Sequence, residues 1–429
     1  MATLFISVIF VVLVLLGVPI GTCLGAAAVL TLLKFQLGAE MIGMNFCSGI
    51  ASFPLLAIPF FVLAGVILER AGLAATIARL FEMLVGRLVG GLAIVAVLTC
   101  MFWGAISGSG PATTAAVGLI LLSPMIRNGY DKHFAGATIA CASDLSIIIP
   151  PSIAFIIYGN ITSVSVSALF VGGIIPGILS GLGMVLTAFL ISRRRGYRGL
   201  EERGSLRDIL RALRQAIWAL MAPVVILGGI YTGIFTPTEA AVVAVFYSLF
   251  IAVFVYRSLT LADFIQILVD AAVTSSAIMF IVVFAGIFTW VASVIGVIDL
   301  AAKFIVSISP NALVMILLVD LLLLALGMVL DAISISYILM PILVPVLAAF
   351  KIDPLWYGVI FVCALAIGQA TPPVGVNLFT AANLVGGDLD SVARHAIPYV
   401  VASAIVLIII SLIPALSTYL PIRAGLYSP

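Results

Sequence analysis

Long apolar stretches fill most of this chain, separated by short polar or Gly/Pro-rich segments. A hydrocarbon core about 30 Å thick needs about 20 apolar residues per helix, so the pattern predicts about ten or more membrane passages. Because residues 1–33 lack a basic start and are long enough to span, we expect no cleavable signal peptide. Uninterrupted spans are predicted near 3–33, 50–68, 166–190, 219–235, 239–256, 272–294, 311–329 and 396–420.

Other apolar stretches are interrupted, and the interruptions come in two pairs. The run 107–111 (SGSGP) separates two segments that are each too short to cross, which predicts a re-entrant hairpin over about 92–126. Pro150 and Pro151 lack N–H donors and clash with the preceding turn, so they predict a broken helix over about 132–158. Interruptions at 327–336 and 370–375 predict a second hairpin, over about 311–350, and a second broken helix, over about 355–385.

The two pairs are related by an internal repeat. Shifting residues 131–176 by 222 positions places Pro150-Pro151 on Pro372-Pro373. A matching Pro-Pro inside a membrane span is a rare coincidence, so we predict two repeats, 1–192 and 219–429, and leave open whether they are parallel or inverted. Secondary transporters are commonly built this way, with binding sites where corresponding helices are broken. The same shift matches Asp131 with Asp353, Gly136 with Gly358, Cys141 with Cys363, and Ile175-Pro176 with Ile397-Pro398.

The segment between the repeats is strongly basic. The positive-inside rule places it, over 193–214, in the cytoplasm. Three of its arginines recur at helical spacing, which predicts an amphipathic helix at the lipid surface within a linker over 193–218. A dedicated site for an anionic ligand is the alternative. Eight of the 19 basic residues lie here: Arg193, Arg194, Arg195, Arg198, Arg203, Arg207, Arg211 and Arg214.

Composition excludes a soluble domain. The chain of 429 residues is 64% hydrophobic and 8% charged, with a mean hydropathy of +1.38, whereas soluble domains are about 45–50% apolar and about 25% charged. Its exterior must therefore face a lipid bilayer. A formal charge of +2 argues against a nucleic-acid partner. Two histidines and five scattered cysteines offer neither a disulfide framework nor a transition-metal site.

Broken helices expose main-chain groups that a membrane normally hides. Such backbone is tolerated only where it is buried in protein or lines a cavity. Free carbonyls with Ser or Thr hydroxyls suit Na⁺, and half-helix N-termini suit a carboxylate. We therefore predict one cage from Ser107, Gly108 and Ser109 with the break at 150–152, and a second from the Asp331 region with 371–375. Proline kinks used only for packing are the alternative.

Four acidic residues lie in or beside apolar stretches, where ionisable groups are candidates for function. Glu239 has a structural explanation, because residues 236–239 (TPTE) match a capping box. Asp331 suits a helix cap or a cation ligand equally. Asp144 could support the nearby proline break, and Asp320 suits packing or proton transfer.

Catalysis finds little support. An intramembrane hydrolase needs a serine with a base on a facing helix, but no lysine or histidine lies deep in an apolar stretch, and His133 and His395 are expected in loops. A Walker-type phosphate loop is also absent from the sequence. A transporter is therefore favoured over a passive channel or a membrane enzyme.

An ordered set of motifs resembles the large membrane subunit (DctM-like) of tripartite ATP-independent periplasmic (TRAP) transporters. The resemblance covers nearly the whole chain, and the ordered set is far more specific than any one motif. The motifs include 53–61 (FPLLAIPFF), 106–110 (ISGSG), 149–152 (IPPS), 233–241 (GIFTPTEAA), 340–345 (MPILVP) and 368–375 (GQATPPVG).

The resemblance implies an all-α integral membrane fold with two inverted repeats, as in the ion transporter superfamily, and an elevator mechanism. It implies Na⁺-driven uptake of an organic acid across the bacterial inner membrane, with no cofactor besides Na⁺. The implied partners are a small four-helix membrane subunit and a periplasmic binding protein. Because the resemblance begins at the first helix, we expect the small subunit to be a separate chain. An H⁺-coupled transporter or a passive anion channel is the alternative.

By position, the resemblance also assigns site residues. The substrate class stays open between C4-dicarboxylates, sialic acid and other carboxylates, because many relatives have Ala-Asp shortly after Ser-Gly-Ser, whereas residues 110–114 here are GPATT. The first Na⁺ site takes Ser107, Gly108, Ser109, Pro150, Pro151 and Ser152, the second takes Gly327, Asp331, Thr371, Pro372 and Gly375, and the substrate is expected beside Ser109, Ser152, Thr371 and Pro373.

Overall fold

A computed structural model of the protein describes residues 1–38, 40–200, 205–308 and 310–428. Within these ranges the chain is all-helical, as predicted, with 22 α-helices. Arg203, which belongs to the predicted basic linker, lies outside the described residues. The helices of the first half are α1 (Ala2–Leu15), α2 (Ile20–Phe35), α3 (Met41–Ile50), α4 (Ala57–Arg70), α5 (Leu73–Val85), α6 (Gly91–Ser107), α7 (Gly110–Arg127), α8 (Lys132–Ala142), α9 (Leu145–Ile148), α10 (Ile153–Thr162), α11 (Val166–Gly172) and α12 (Ile174–Arg195).

The second half continues the same architecture. In the described part of the chain, eight helical stretches are long and apolar enough to cross a membrane, and seven further apolar helices have 10–17 residues. The predicted spans 50–68, 166–190, 219–235, 239–256, 272–294 and 396–420 each overlap one of the eight. The helices are α13 (Leu206–Tyr231), α14 (Pro237–Phe250), α15 (Leu261–Val294), α16 (Val297–Ile308), α17 (Ala312–Gly327), α18 (Ala332–Ala349), α19 (Pro354–Gln369), α20 (Val376–Val385), α21 (Leu389–Leu412) and α22 (Ala415–Arg423).

The predicted single span at 3–33 is wrong, because these residues form two helices. Gly17 takes a left-handed φ of +76° between α1 and α2, so the helix cannot continue through it. The Phe5 and Phe35 ring centroids are 5.7 Å apart. The start of α1 thus lies beside the end of α2, and the two make a hairpin of helices that are each short for a bilayer.

The basic linker also differs from its predicted boundary at 218. That boundary falls inside α13, which runs unbroken for 26 residues. Ser205 and Asp208 form a capping box, in which the Asp208 carboxylate accepts the Ser205 N–H at 2.9 Å and the Ser205 hydroxyl accepts the Asp208 N–H at 3.3 Å. Leu80 of α5 packs against Ala212 and Ala216 just beyond this cap. The arginines at helical spacing therefore occupy the first turns of a membrane-length helix.

Both predicted hairpins and both predicted broken helices are present. Hairpin 1 is α6 with α7, turning at Gly108 and Ser109, and hairpin 2 is α17 with α18, turning at 328–331. Broken helix 1 comprises α8, α9 and α10 with its break at 149–152, and broken helix 2 comprises α19 and α20 with its break at 370–375. The Pro-Pro bonds in the two breaks are both cis.

The two halves interlock through these elements. In broken helix 2, α20 packs against α7 and α8 of the first half. In broken helix 1, α10 packs against α18 and α19 of the second half. Outside them, α4 packs against hairpin 1 and α15 against hairpin 2. This reciprocal exchange gathers the turns and breaks in one central bundle.

The two histidines were expected in loops, but both lie in helices. His133 lies in the first turn of α8 and His395 lies in α21, with ring centroids 6.4 Å apart. His133 Nε2 is 3.4 Å from Asp388 Oδ2, and His395 Nε2 is 3.7 Å from Asp131 Oδ1. They link the start of α8 to α21.

Candidate functional site

Hairpin 1 presses its turn against break 1. Gly108 has a φ of +63°, and a Cβ atom there would lie 3.1 Å from the Pro151 carbonyl oxygen, so the turn needs a glycine. Ser107 ends α6, and Ser109, with extended backbone, precedes α7 as its N-cap residue. On the opposite side, a Cβ at Gly65 of α4 would lie 3.7 Å from the Ser107 Cα. The first group of predicted Na⁺ ligands is therefore brought together.

Break 1 removes donors from its own helix. Because Pro150 and Pro151 have no N–H, the carbonyls of Ser146 and Ile147 lose their usual helical partners. The Ser152 hydroxyl donates to the Ile147 carbonyl oxygen at 2.5 Å and satisfies one of them. Ser152 is buried, and its extended backbone starts α10.

Hairpin 2 meets break 2 in a similar way. The Gly375 N–H donates to the Met328 carbonyl at 2.8 Å. Gly375 has a φ of +54°, and a Cβ there would lie 2.8 Å from the Gln369 carbonyl oxygen and 3.0 Å from that of Thr371. The Thr371 hydroxyl donates to the Ile367 carbonyl at 2.6 Å. Two main-chain oxygens therefore converge on Gly375 beside the hairpin turn.

Close backbone approaches occur at matching places in the two halves. A Cβ at Gly104 of hairpin 1 would lie 2.4 Å from the Ser146 Cα, and one at Gly327 of hairpin 2 would lie 2.7 Å from the Gly368 Cα. Ser146 and Gly368 are 222 positions apart, the shift of the sequence repeat. Predicted ligand Gly327 thus packs hairpin 2 onto broken helix 2.

Asp331 caps a helix. Its Oδ2 accepts the N–H groups of Ile333 at 2.9 Å and Ser334 at 3.2 Å, and its Oδ1 accepts the Ser334 hydroxyl at 2.5 Å. Asp331 stands 222 positions after Ser109, which occupies the corresponding N-cap of hairpin 1. Capping is confirmed, and cation binding by Asp331 stays a prediction.

One cavity of about 780 Å³ faces both hairpin turns. Residues 107–112 line it from hairpin 1 and 331–333 from hairpin 2, while α4 and α15 form the opposite wall. Most of the lining is apolar, as is usual for a pocket in which a few polar groups orient the ligand. Of the predicted site residues in the described chain, Ser107, Gly108, Ser109 and Asp331 line it. Pro150, Pro151, Ser152, Gly327, Thr371, Pro372, Pro373 and Gly375 are outside the lining.

A charged pair stands at one edge of the cavity. Arg70 at the end of α4 lies 3.1 Å from the Asp270 carboxylate of α15, beside Glu69. Gln266 donates to the other Asp270 oxygen at 2.8 Å. This edge lies toward the basic linker, since α5 follows Arg70 and packs on the first turns of α13. The sequence did not reveal the pair, because its members are 200 positions apart.

A buried polar link joins the two halves beside hairpin 1. The Asn377 side-chain amide donates to Asp144 Oδ1 at 2.9 Å, and both residues are buried. A Cβ at Gly110 would lie 2.7 Å from the Asn377 amide, so α7 starts directly against it. The Asp144 side chain holds α20 of the second half, and its suggested support of the break in its own helix stays a prediction.

The remaining acidic residues lie outside the cavity lining. Glu239 accepts the Thr236 N–H at 2.8 Å, and the Thr236 hydroxyl accepts the Glu239 N–H at 3.3 Å, which confirms the capping box. Asp320 is buried in α17 and accepts the Ser411 hydroxyl at 3.2 Å. Both roles suggested for Asp320 stay predictions.

Paired hairpin turns and broken helices around one cavity form an arrangement that secondary transporters use. A family profile described as "Tripartite ATP-independent periplasmic transporter, DctM component" matches residues 7–416. The chain belongs to this family. As a DctM-family permease it is a membrane transport protein and not an enzyme, and it works with a small membrane subunit and a periplasmic binding protein. The resemblance found in the sequence is confirmed.

Relatives support this assignment over almost the whole chain. The C4-dicarboxylate TRAP transporter large permease protein DctM of Pseudomonas aeruginosa is 38% identical over 404 residues, 94% of each chain. The isethionate TRAP transporter permease protein DctMQ of Oleidesulfovibrio alaskensis is 38% identical over 96% of this chain, which spans 65% of that longer protein. The crystal structure of the Alcanivorax borkumensis YdaH transporter covers 95% of this chain and 98% of its own, with a TM-score of 0.64 at 15% identity, and shows the same fold.

Proposed function

We propose that this protein is the transport subunit of a Na⁺-coupled uptake system for an organic acid. The observation that carries the proposal is that main-chain oxygens of each break lie against a glycine at or beside a hairpin turn: the Pro151 carbonyl against Gly108, and the Gln369 and Thr371 carbonyls against Gly375. Na⁺ favours oxygen ligands, and carbonyls freed by a broken helix supply them without a buried negative charge. Gly375, with the Gln369 and Thr371 carbonyls against it, is the clearest case.

The two proposed Na⁺ sites are formed by different hairpin turns. The first uses Ser107 and Ser109 of the hairpin 1 turn together with the Pro151 carbonyl, which lies against Gly108. The second uses the break around Gly375 and the neighbouring hairpin 2 turn. Asp331 contributes there by holding the start of α18 in place. Na⁺ binding thus fixes each hairpin against its broken helix and shapes the cavity between them.

The substrate occupies the cavity between these sites. Ser109 lines it at the start of α7, where helix N–H groups favour a carboxylate. Three predicted substrate residues lie outside the lining and stabilise the breaks in this proposal: Ser152, Thr371 and Pro373. Two relatives are named for a C4-dicarboxylate and for isethionate, both small organic anions. We infer the same substrate class for this chain, with Arg70 at the edge as a positive charge on the route.

Transport follows an elevator motion in this proposal. The cavity lies between the central bundle and the wall formed by α4 and α15, so sliding the bundle along that wall exposes the cavity first to one side and then to the other. Placing the basic linker in the cytoplasm of an inner-membrane protein directs the Arg70–Asp270 edge to the cytoplasm. The binding protein delivers substrate from the periplasm, and a four-helix small subunit supports the wall.

Reconstituted uptake tests the proposal. Proteoliposomes containing this chain and the small subunit are given the binding protein, a radiolabelled organic acid and an inward Na⁺ gradient. We expect accumulation that stops when Na⁺ is replaced by K⁺ or the binding protein is omitted. Undiminished accumulation in K⁺ buffer with an inward proton gradient would favour H⁺ coupling. Flux that needs neither a gradient nor the binding protein would favour a channel.

A further inference from the structure

The end of α12 and the start of α21 form a basic cleft away from the transport cavity. Its volume is about 370 Å³, and no acidic side chain lines it within the described residues. The Arg195 guanidinium lies 5.5 Å above the Phe134 ring, a cation–π contact that holds it at the cleft wall. Three arginines therefore line one small space. The lining comprises Phe134, Ile191, Arg194, Arg195, Arg394, His395 and Pro398.

Acidic residues near the cleft do not neutralise it. Asp388 caps α21, and Asp131 caps α8 while lying 3.7 Å from His395. Asp390 lies 3.8 Å from Arg394, but both side chains are largely exposed. An exposed ion pair at that distance contributes little. The guanidinium groups of the cleft thus stay available to an anion.

Two exposed apolar stripes lead away from the cleft along neighbouring helices. Each stripe begins one helical turn from a cleft arginine, so the positive charges stand at the ends of lipid-accessible rows. The two helices pack together, since a Cβ at Gly183 would lie 3.3 Å from the Val406 side chain. On α12 the stripe is Leu190, Leu186 and Leu182 below Arg194, and on α21 it is Ile397, Val401 and Ile405 beyond Arg394.

We infer that this cleft binds the headgroup phosphate of an anionic phospholipid, with its acyl chains lying along the two stripes. Arginine forks match phosphate oxygens in pairs, and basic pockets between membrane helices suit anionic headgroups. A free phosphate ion would use the same arginines and leave the stripes unused. The continuity of charge and apolar surface therefore favours the lipid. This site is independent of the proposed Na⁺ coupling.

Native mass spectrometry of the full chain in detergent tests the inference. Delipidated protein is incubated with phosphatidylglycerol or phosphatidylcholine at equal concentration, and the bound lipid is counted. We expect one retained phosphatidylglycerol, with roughly tenfold weaker retention in the cleft variant Arg194→Gln/Arg394→Gln. The control Arg193→Gln/Arg198→Gln removes the same charge from nearby positions outside the cleft lining, and it should bind like the wild type.

Several results would overturn the inference. If the control variant lost as much phosphatidylglycerol as the cleft variant, the binding would be a general attraction to a basic surface. If the protein retained both lipids equally, the headgroup charge would not determine binding. If inorganic phosphate alone displaced the lipid and stabilised only the wild type, the ligand would be free phosphate. The variant Arg194→Lys/Arg394→Lys controls for misfolding. It keeps both positive charges but cannot bind phosphate oxygens in pairs, so it should retain an intermediate amount of phosphatidylglycerol.

Discussion

At the scale of single residues, the buried Asp144–Asn377 hydrogen bond gives a stability prediction. Asn377→Ala leaves the buried Asp144 carboxyl without its amide donor, and we expect a loss of about 2 kcal/mol in stability. Adding Asp144→Asn should recover part of this loss, because an unpaired neutral amide costs less to bury than a carboxylate. Thermal unfolding of the purified variants in detergent measures both effects. No change on Asn377→Ala would show that this hydrogen bond does not stabilise the fold.

Contacts between neighbouring residues could be predicted from the sequence, and contacts between distant residues could not. The capping box at Glu239 follows from four consecutive residues, and it forms as expected. The Asp144–Asn377 hydrogen bond joins residues 233 positions apart, and no pattern near either one indicates it. Asp144 interrupts an apolar stretch, whereas Asn377 follows a Pro/Gly-rich break where polar residues are ordinary.

For the helices and turns, the prediction depended on residues that interrupt a helix, such as glycine, serine and proline. The Gly-Ser run marks the turn of hairpin 1, the Pro-Pro runs remove helical N–H donors in both breaks, and the polar residue Asp331 marks the turn of hairpin 2. Both hairpins and both broken helices were therefore predictable. Residues 3–33 were misread because their apolar character hid the turn at Gly17. The start of α13 was misread because a change from basic to apolar side chains does not end a helix that remains capped and helix-forming. The polarity change near residue 218 indicates a membrane boundary, whereas the capping box at Ser205 and Asp208 marks where the helix begins.

The close contacts of Gly375 give a functional prediction. Gly375→Ala pushes a methyl group against the Gln369 and Thr371 carbonyls, so we expect the Na⁺ concentration for half-maximal uptake to rise about tenfold, the effect of losing about 1.4 kcal/mol of ion binding. Gly72→Ala is the matched control, since Gly72 also has a positive φ but no atom lies near its Cβ position. Equal effects from both substitutions would point to backbone strain and not to ion binding.

For the whole molecule, the sequence repeat predicted two similar halves but not how they pack against each other. Exchange of α10 and α20 between the halves depends on packing between helices that are far apart in the sequence, which no local pattern encodes. The shared cavity follows from this exchange, because it brings both hairpin turns to one place. Of the predicted site residues, those in the turns line the cavity, and those in the breaks lie outside its lining.

The elevator motion gives a prediction about crosslinking. Cysteines at Gly65 and Ser107 would join α4 to hairpin 1, where their backbones are close. Oxidation should abolish uptake by holding the bundle against the wall, and a reductant should restore it to the lower level of Ser107→Cys alone, which weakens the proposed Na⁺ site without a crosslink. Gly65→Cys alone should transport under both conditions. Full activity of a completely crosslinked double variant would rule out sliding at this contact.

We propose that each hairpin and its broken helix together bind Na⁺, and cryo-electron microscopy of the protein in NaCl and in choline chloride would reveal the bound ions. We predict a compact density peak enclosed by oxygens beside Gly108 and Pro151, and another beside Gly375 and Met328, in the NaCl map and not in the choline map. Maps without a peak at either place, or with the same peaks in both buffers, would show that the hairpins and broken helices do not bind Na⁺ there.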